Sequence, residues 1–232
     1  MKWSIKSKTV INLHKKSHPL NILVIAAHPD DEVLGMGGTI KKLVKNGNKV
    51  HLCVVTEGAS AQYSDKKMID VRKKPCLNAG KFLGITTFSF LDFPDMKLDS
   101  FPQLEINKKL EEVIKKINPT IIYTTPPHDL NKDHRLVFDS TLISARPMKS
   151  NVKSIFAYEI PGLTKEQFCP NVYENITHEI KNKIKAFQFY ESEVMKFPNP
   201  RSVKAIESLA LLRGVESGLL NAEAFRLIRA VS

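Results

Sequence analysis

The run Asn21-Ile-Leu-Val-Ile-Ala-Ala27 is continuous in apolar side chains, rich in β-branched residues and closed off by His28-Pro29. Such a run reads as a strand buried on both faces, the kind found in parallel sheets. Outward from it, residues 34–46 carry Ile40, Leu43 and Val44 at helical spacing and stop at Gly47. Residues 50–56 read as a second strand. Residues 67–83 read as a helix ending at Gly84, with Pro75 in the middle, where a ring without an N–H is expected to kink or break it. A third strand is expected at 86–91, a helix at 103–117, a fourth strand at 120–125 and a helix at 136–145. Further strands are expected near 154–158 and 172–176, then helices from His178 and from Ser202. This alternation predicts an α/β fold: an open, mostly parallel, Rossmann-like sheet with flanking helices. Residues 1–20 lack periodicity and read as an N-terminal extension, and 21–232 as a single domain.

The chain has 232 residues and 42% hydrophobic composition, enough for a full core and too apolar for a disordered chain. Its longest apolar runs are a third of a membrane span at best, so no transmembrane segment is expected. No apolar stretch of signal-peptide length follows the lysine-rich start, which predicts a cytoplasmic protein. Cys53, Cys76 and Cys169 are odd in number and far apart, so neither a disulfide framework nor a zinc pair can be built from them. The net charge of +11 comes from 28 Lys and only 7 Arg. Scattered Lys suits a solvated surface, whereas base-edge and phosphate recognition favours Arg, so nucleic acid is not an expected partner. The sequence is compatible with self-association into a homo-oligomer.

In open α/β sheets, ligands bind beyond the carboxyl ends of the strands. Two such ends carry unusual residues: His28-Pro29-Asp30-Asp31-Glu32 after the first strand and His128-Asp129-Leu130-Asn131-Lys132-Asp133-His134-Arg135 after the fourth. Acids at a helix start are favourable for the backbone dipole, yet capping accounts for one carboxylate, not three beside a histidine. His28 and Asp31 can converge on one ion while Asp30 stays off it. His134 reaches the same space if the two strand ends are neighbours. Two imidazoles, one carboxylate and an open fourth position describe a catalytic zinc site. Gly35-Met36-Gly37-Gly38 lies too far from the strand for phosphate cradling, behind acids that repel phosphate, so close helix packing is its expected role.

The opening motif, with Gly35-x-Gly37-Gly38-Thr39, resembles that of the PIG-L/LmbE-like family of zinc-dependent N-acetylglucosaminyl deacetylases. The likeness continues through Arg72, Phe93-Pro94-Asp95, Asp133-His134-Arg135, Ala145-Arg146-Pro147, Pro200-Arg201-Ser202, Arg213-Gly214 and Ala222-Glu223-Ala224-Phe225. The resemblance implies His28, Asp31 and His134 as zinc ligands and Asp30 as general base. It implies Arg72, Asp95 and Arg201 as contacts to an N-acetylamino sugar, free or within a glycan, nucleotide-sugar or glycosylated small molecule. It also implies a hydrolase in which metal-bound water attacks the acetamide, because zinc lowers the pKa of that water toward ~7.

The chain departs from the family in three places. Asn131 stands where many members carry a histidine, and an amide donates a hydrogen bond to an oxyanion but supplies no proton. His128, in the same loop, is the candidate substitute, and Asp133, just before His134, is the candidate to orient an imidazole from behind. Pro75 replaces a helix-friendly acid after Arg72, and Asn199-Pro200 replaces a His-Pro pair before Arg201. The alternative these departures raise is a non-catalytic zinc-binding protein of the same fold.

Overall fold

The computed structural model describes residues 19–58, 67–162 and 164–231, with side chains from residue 73 onward in the helix that begins at Lys67. The expected N-terminal extension lies almost wholly outside these residues. Seven strands form one sheet: β1 (Asn21–Ala26), β2 (Lys49–Thr56), β3 (Thr87–Phe93), β4 (Ile121–Thr124), β5 (Ser154–Tyr158), β6 (Val172–Asn175) and β7 (Ala222–Ala230). Their order is β3-β2-β1-β4-β5-β7-β6. The first five are parallel to one another, and β7 runs antiparallel between β5 and β6.

The central strand explains the layering. Along β1 and into Ala27, alternate side chains point to opposite faces, so a continuous apolar run feeds two cores. Ile22, Val24 and Ala26 pack on the side of helices α1 (Asp31–Lys45), α2 (Lys67–Leu83), α5 (Ile180–Phe187) and α6 (Val203–Ser217). Leu23, Ile25 and Ala27 pack on the side of α3 (Gln103–Ile117) and α4 (Lys132–Ser144). The mostly parallel α/β architecture expected from the sequence is the one observed.

Several local expectations need correction. Helix α2 runs through Pro75 unbroken. Cys76, Ala79 and Leu83 on one face of α2 are buried in the core, and tertiary packing of this kind overrides an unfavourable propensity. Helix α1 begins at Asp31 rather than at 34, and α4 at Lys132 rather than at 136, because polar first turns hide the starts from an apolar-periodicity reading. The segment 222–230, quoted only as a tail motif, is the longest strand of the sheet.

Helix α1 carries an internal break at Met36 (φ −149°, ψ 27°). An undistorted helix pairs the Leu34 carbonyl with the Gly38 amide. Here the Leu34 oxygen accepts from Lys183 Nζ at 2.7 Å, and Gly38 and Thr39 amides donate to the Glu223 carboxylate at 3.0 and 2.6 Å. Lys183 and Glu223 are themselves paired at 2.6 Å, and both are buried. The glycines permit this closeness: a Cβ on Gly35 would lie 2.3 Å from the Tyr158 ring, and one on Gly38 would lie 2.9 Å from Ile176. The expected role of the glycines in close packing is the observed one.

Candidate metal centre and active site

Strands β1 and β4 are hydrogen-bonded neighbours running in the same direction. Their carboxyl ends therefore lie side by side, and each feeds a helix whose first turn carries polar groups. At the first end, the Asp31 carboxylate accepts the His28 amide at 2.8 Å, which tightens the turn entering α1. At the second, Asn131 caps α4 by accepting the Asp133 amide at 2.9 Å, and this sets His134 on the first turn.

Three atoms then converge. His28 Nδ1 lies 3.1 Å from His134 Nε2 and 3.5 Å from Asp31 Oδ2, and His134 Nε2 lies 3.4 Å from the same oxygen. Ligand atoms about 2.0–2.1 Å from a tetrahedral zinc are separated by about 3.3 Å, so the spacing suits such an ion. The outer edges of the rings fix which nitrogens face inward. His134 Nδ1 is 2.9 Å from Asp129 Oδ2, while His28 Nε2 is 3.0 Å from Asp95 Oδ1 and 3.2 Å from Asp133 Oδ2. With those outer nitrogens protonated, two imidazole lone pairs and a carboxylate oxygen point at one another, an arrangement that a shared cation stabilises. His28, Asp31 and His134 form a group able to hold a metal ion.

The electrostatics describe the same seat for positive charge. Burial acts to lower the His134 imidazole, but the Asp31 charge and hydrogen bonds to Asp129 and Asp31 push it up to about 9. Burial also opposes a proton on His28, yet hydrogen bonds to Asp133, Asp31 and Asp95 hold it well above its ordinary value. Against its own burial, Asp31 is held well below the usual carboxylate range by His134 and His28.

Asp30 is buried beside this group, and its backbone stands at φ 118°. Its Oδ2 lies 3.2 Å from Arg201 Nη1, which also pairs with Glu193. Burial pushes the Asp30 carboxyl up to about 7, against the Arg201 charge, which pulls it down. Its amide donates to Glu32 Oε2 at 3.2 Å, and Tyr190 donates its hydroxyl to Glu32 Oε1 at 2.5 Å.

The remaining expected residues sort clearly. Asp133 and Asp95 both lie against the His28 imidazole, Asp95 through Oδ1 at 3.0 Å. Arg201 meets Asp30. The side chain of Arg72 is outside the described residues. Asn131 spends its carbonyl on the helix cap, and its Nδ2 lies 3.4 Å from Met96 Sδ. The His128 ring faces Glu166 at 3.6 Å, on the loop that follows β5, and its side chain is 42% exposed. Sequence reasoning assigned no part to Asp129 and missed Glu193 and Tyr190. Asp129 was detectable as an acid in the loop that leads to His134. Glu193 and Tyr190 carry no local signal, because they reach the site only through the packing of the segment after α5.

Fold and site together define an open α/β protein with a buried His–Asp–His cluster at adjoining strand ends. A family model described as GlcNAc-PI de-N-acetylase matches residues 23–143, and the chain belongs to this PIG-L family. It is 31% identical over 166 residues to the uncharacterized deacetylase YaiS of Escherichia coli (strain K12), spanning 68% of this chain and 83% of that one. Among solved structures, N,N'-diacetylchitobiose deacetylase from Pyrococcus horikoshii matches with a TM-score of 0.74 and 26% identity, over 90% of this chain and 83% of that one. A 4-carboxy-2-hydroxymuconate hydratase from Pseudomonas putida KT2440 also matches, with a TM-score of 0.74 and 20% identity, over 91% of this chain and 97% of that one. That last likeness is one of fold alone, so function must be argued from the site.

Proposed function

We propose that this protein is a zinc-dependent N-deacetylase that removes the acetyl group from an N-acetylamino sugar of the N-acetylglucosamine type. The observation that carries the reading is the convergence of His28 Nδ1, Asp31 Oδ2 and His134 Nε2 within 3.1–3.5 Å of one another. The residues present fit the metal: each imidazole has a carboxylate behind it, and Asp31 Oδ1 is buried without a hydrogen-bond partner. The deacetylases among the relatives and structural neighbours support the reaction class.

Zinc held by these three side chains supplies a Lewis acid that acidifies a water and polarises a carbonyl. Asp30 is adjacent to Asp31 in sequence and is not one of the three ligand residues, which suits it to accept the proton of the attacking water. The water oxygen forms a bond to the acetamide carbon. As the carbon–nitrogen bond breaks, Asp30 returns the proton to the departing amine, leaving acetate and a free amino sugar. Asp133 and Asp95 hold the His28 ring, Asp129 holds the His134 ring, and Arg201 steadies Asp30 across the opening. The free thiols of Cys53, Cys76 and Cys169 suit a reducing, cytosolic setting.

The test is metal content and amine release from a panel of N-acetylamino sugars. About one zinc per chain is expected, and Asp30→Asn retains the metal while losing at least about a hundredfold in turnover. His28→Ala loses both. Zinc without release from any sugar favours the reading of a non-catalytic zinc-binding protein, and Asp30→Asn with full activity refutes the assignment of the base.

A further inference from the structure

Past the carboxyl ends of β4 and β5, on the edge of the parallel strands that also carries the cluster, lies a groove of about 380 Å3, within the size range of small-molecule sites. It opens between the loops leaving β4 and β5 and the segment that leads into α6. Pro126, Ile160, Pro161, Phe168, Pro198 and Pro200 form its apolar walls. Two of these wall residues adjoin, along the chain, residues that touch the proposed active site. Pro200 precedes Arg201, which meets Asp30 at 3.2 Å. Pro126 follows Thr125, whose hydroxyl donates to the His134 carbonyl at 2.8 Å.

The charges in the lining are already committed. Arg213 grips Glu159 through Nε and Nη2 at 2.8 and 2.5 Å, and reaches Glu216 through Nη1 at 2.7 Å. No other charged residue lines the groove among the described residues. A phosphate or carboxylate entering here would leave water without meeting an uncommitted cation, which is costly. An apolar group would lose only unfavourable hydration. The deacetylases among the relatives remove an acetyl group, which is two carbons and cannot fill such a groove. The apolar occupant therefore belongs to the rest of the sugar substrate.

Resting on the deacetylase reading, we infer that this groove binds an uncharged, apolar aglycone attached to the N-acetylamino sugar, and that it selects such glycosides over free or phosphorylated sugars. The experiment compares kcat/KM for amine release from four probes: N-acetylglucosamine, its octyl glycoside, its 1-phosphate, and N-octanoylglucosamine. The proteins are wild type, Phe168→Ser, which removes an apolar wall, and Ala205→Gln, which pushes a polar side chain into the groove. Wild type is expected to favour the octyl glycoside over the free sugar by about tenfold or more, the scale on which apolar pockets discriminate. Both variants shrink that ratio. A substitution that merely destabilises the fold lowers all substrates together and leaves the ratio where it was.

Equal use of the free sugar and the glycoside, preference for the phosphate or for N-octanoylglucosamine, or a ratio unchanged in both variants overturns the inference. If no probe releases amine, the deacetylase reading fails separately, and calorimetric titration with the octyl glycoside decides the groove. Binding that weakens in Phe168→Ser upholds it, and absence of binding rejects it.

Discussion

Asp30 stands at φ 118°, a backbone angle that side chains rarely adopt. Its neighbours hold it there: the Asp30 amide is bound to Glu32 and its carbonyl accepts the Val33 and Leu34 amides. Strain of this kind persists where the surroundings over-determine it. Glu32 sits fully buried beneath, and burial pushes its carboxyl up to about 8 despite the Tyr190 hydrogen bond that pulls it down. That value lies above its ordinary 4.5, so the folded protein keeps a proton that the unfolded chain releases. Stability from this group is therefore present at low pH and is lost as pH rises from about 4.5 through about 8. The urea midpoint of wild type is expected to fall across that window, and that of Glu32→Gln to fall less. Parallel pH profiles for the two proteins would contradict this.

The element that decides the site is α1, because it carries Asp31 at one end and is broken one turn later. Lys183 from α5 and Glu223 from β7 are inserted into the opened turn and pair with each other inside the protein. Removing one partner of a buried pair leaves an uncompensated charge. Lys183→Met is thus expected to cost about 3–5 kcal/mol in a denaturant titration. Gly35→Ala forces a methyl into the Tyr158 ring, at a cost of about 1–3 kcal/mol. An unchanged denaturation midpoint in Lys183→Met would show that the opened turn satisfies itself in another way. The same element shows the reach of sequence reasoning. Gly35, Gly37 and Gly38 announced close packing, but the partners of that packing come from residues 158, 176 and 183, which no local pattern connects to them.

At the scale of the molecule, the order of strands brings the chemistry together. His28 and His134 are separated by more than a hundred residues, yet β1 and β4 are neighbours, and their two loops open at one edge of the sheet. A cation bound only by this folded arrangement stabilises the whole protein by mass action, by about 2.7 kcal/mol at a hundredfold excess over Kd. Chelator treatment is expected to lower the melting temperature, and added zinc to restore it. In His134→Ala, neither addition should move the transition. A chelator shift that survives in His134→Ala would place the stabilising ion elsewhere.

Several features were legible in the sequence because they are local. The apolar run of β1 spells out a strand covered on both faces. Clustered His and Asp residues at two strand ends single out the groups that the fold brings within 3.1–3.5 Å. What tertiary structure alone decided depends on contacts between distant segments. Asp129 is visible as an acid, but its grip on His134 is a matter of loop geometry. His128, one residue earlier, faces Glu166 instead. Pro75 argues locally for a break, and the burial of one face of α2 overrules it. The antiparallel insertion of β7, the Lys183–Glu223 pair and the groove lined by prolines arise only when residues beyond 150 fold back over the first half. Short-range periodicity and motif spacing record which side chains a segment presents. Only packing determines which side chain from elsewhere meets them, because that choice is made by burial and charge compensation across the whole sheet.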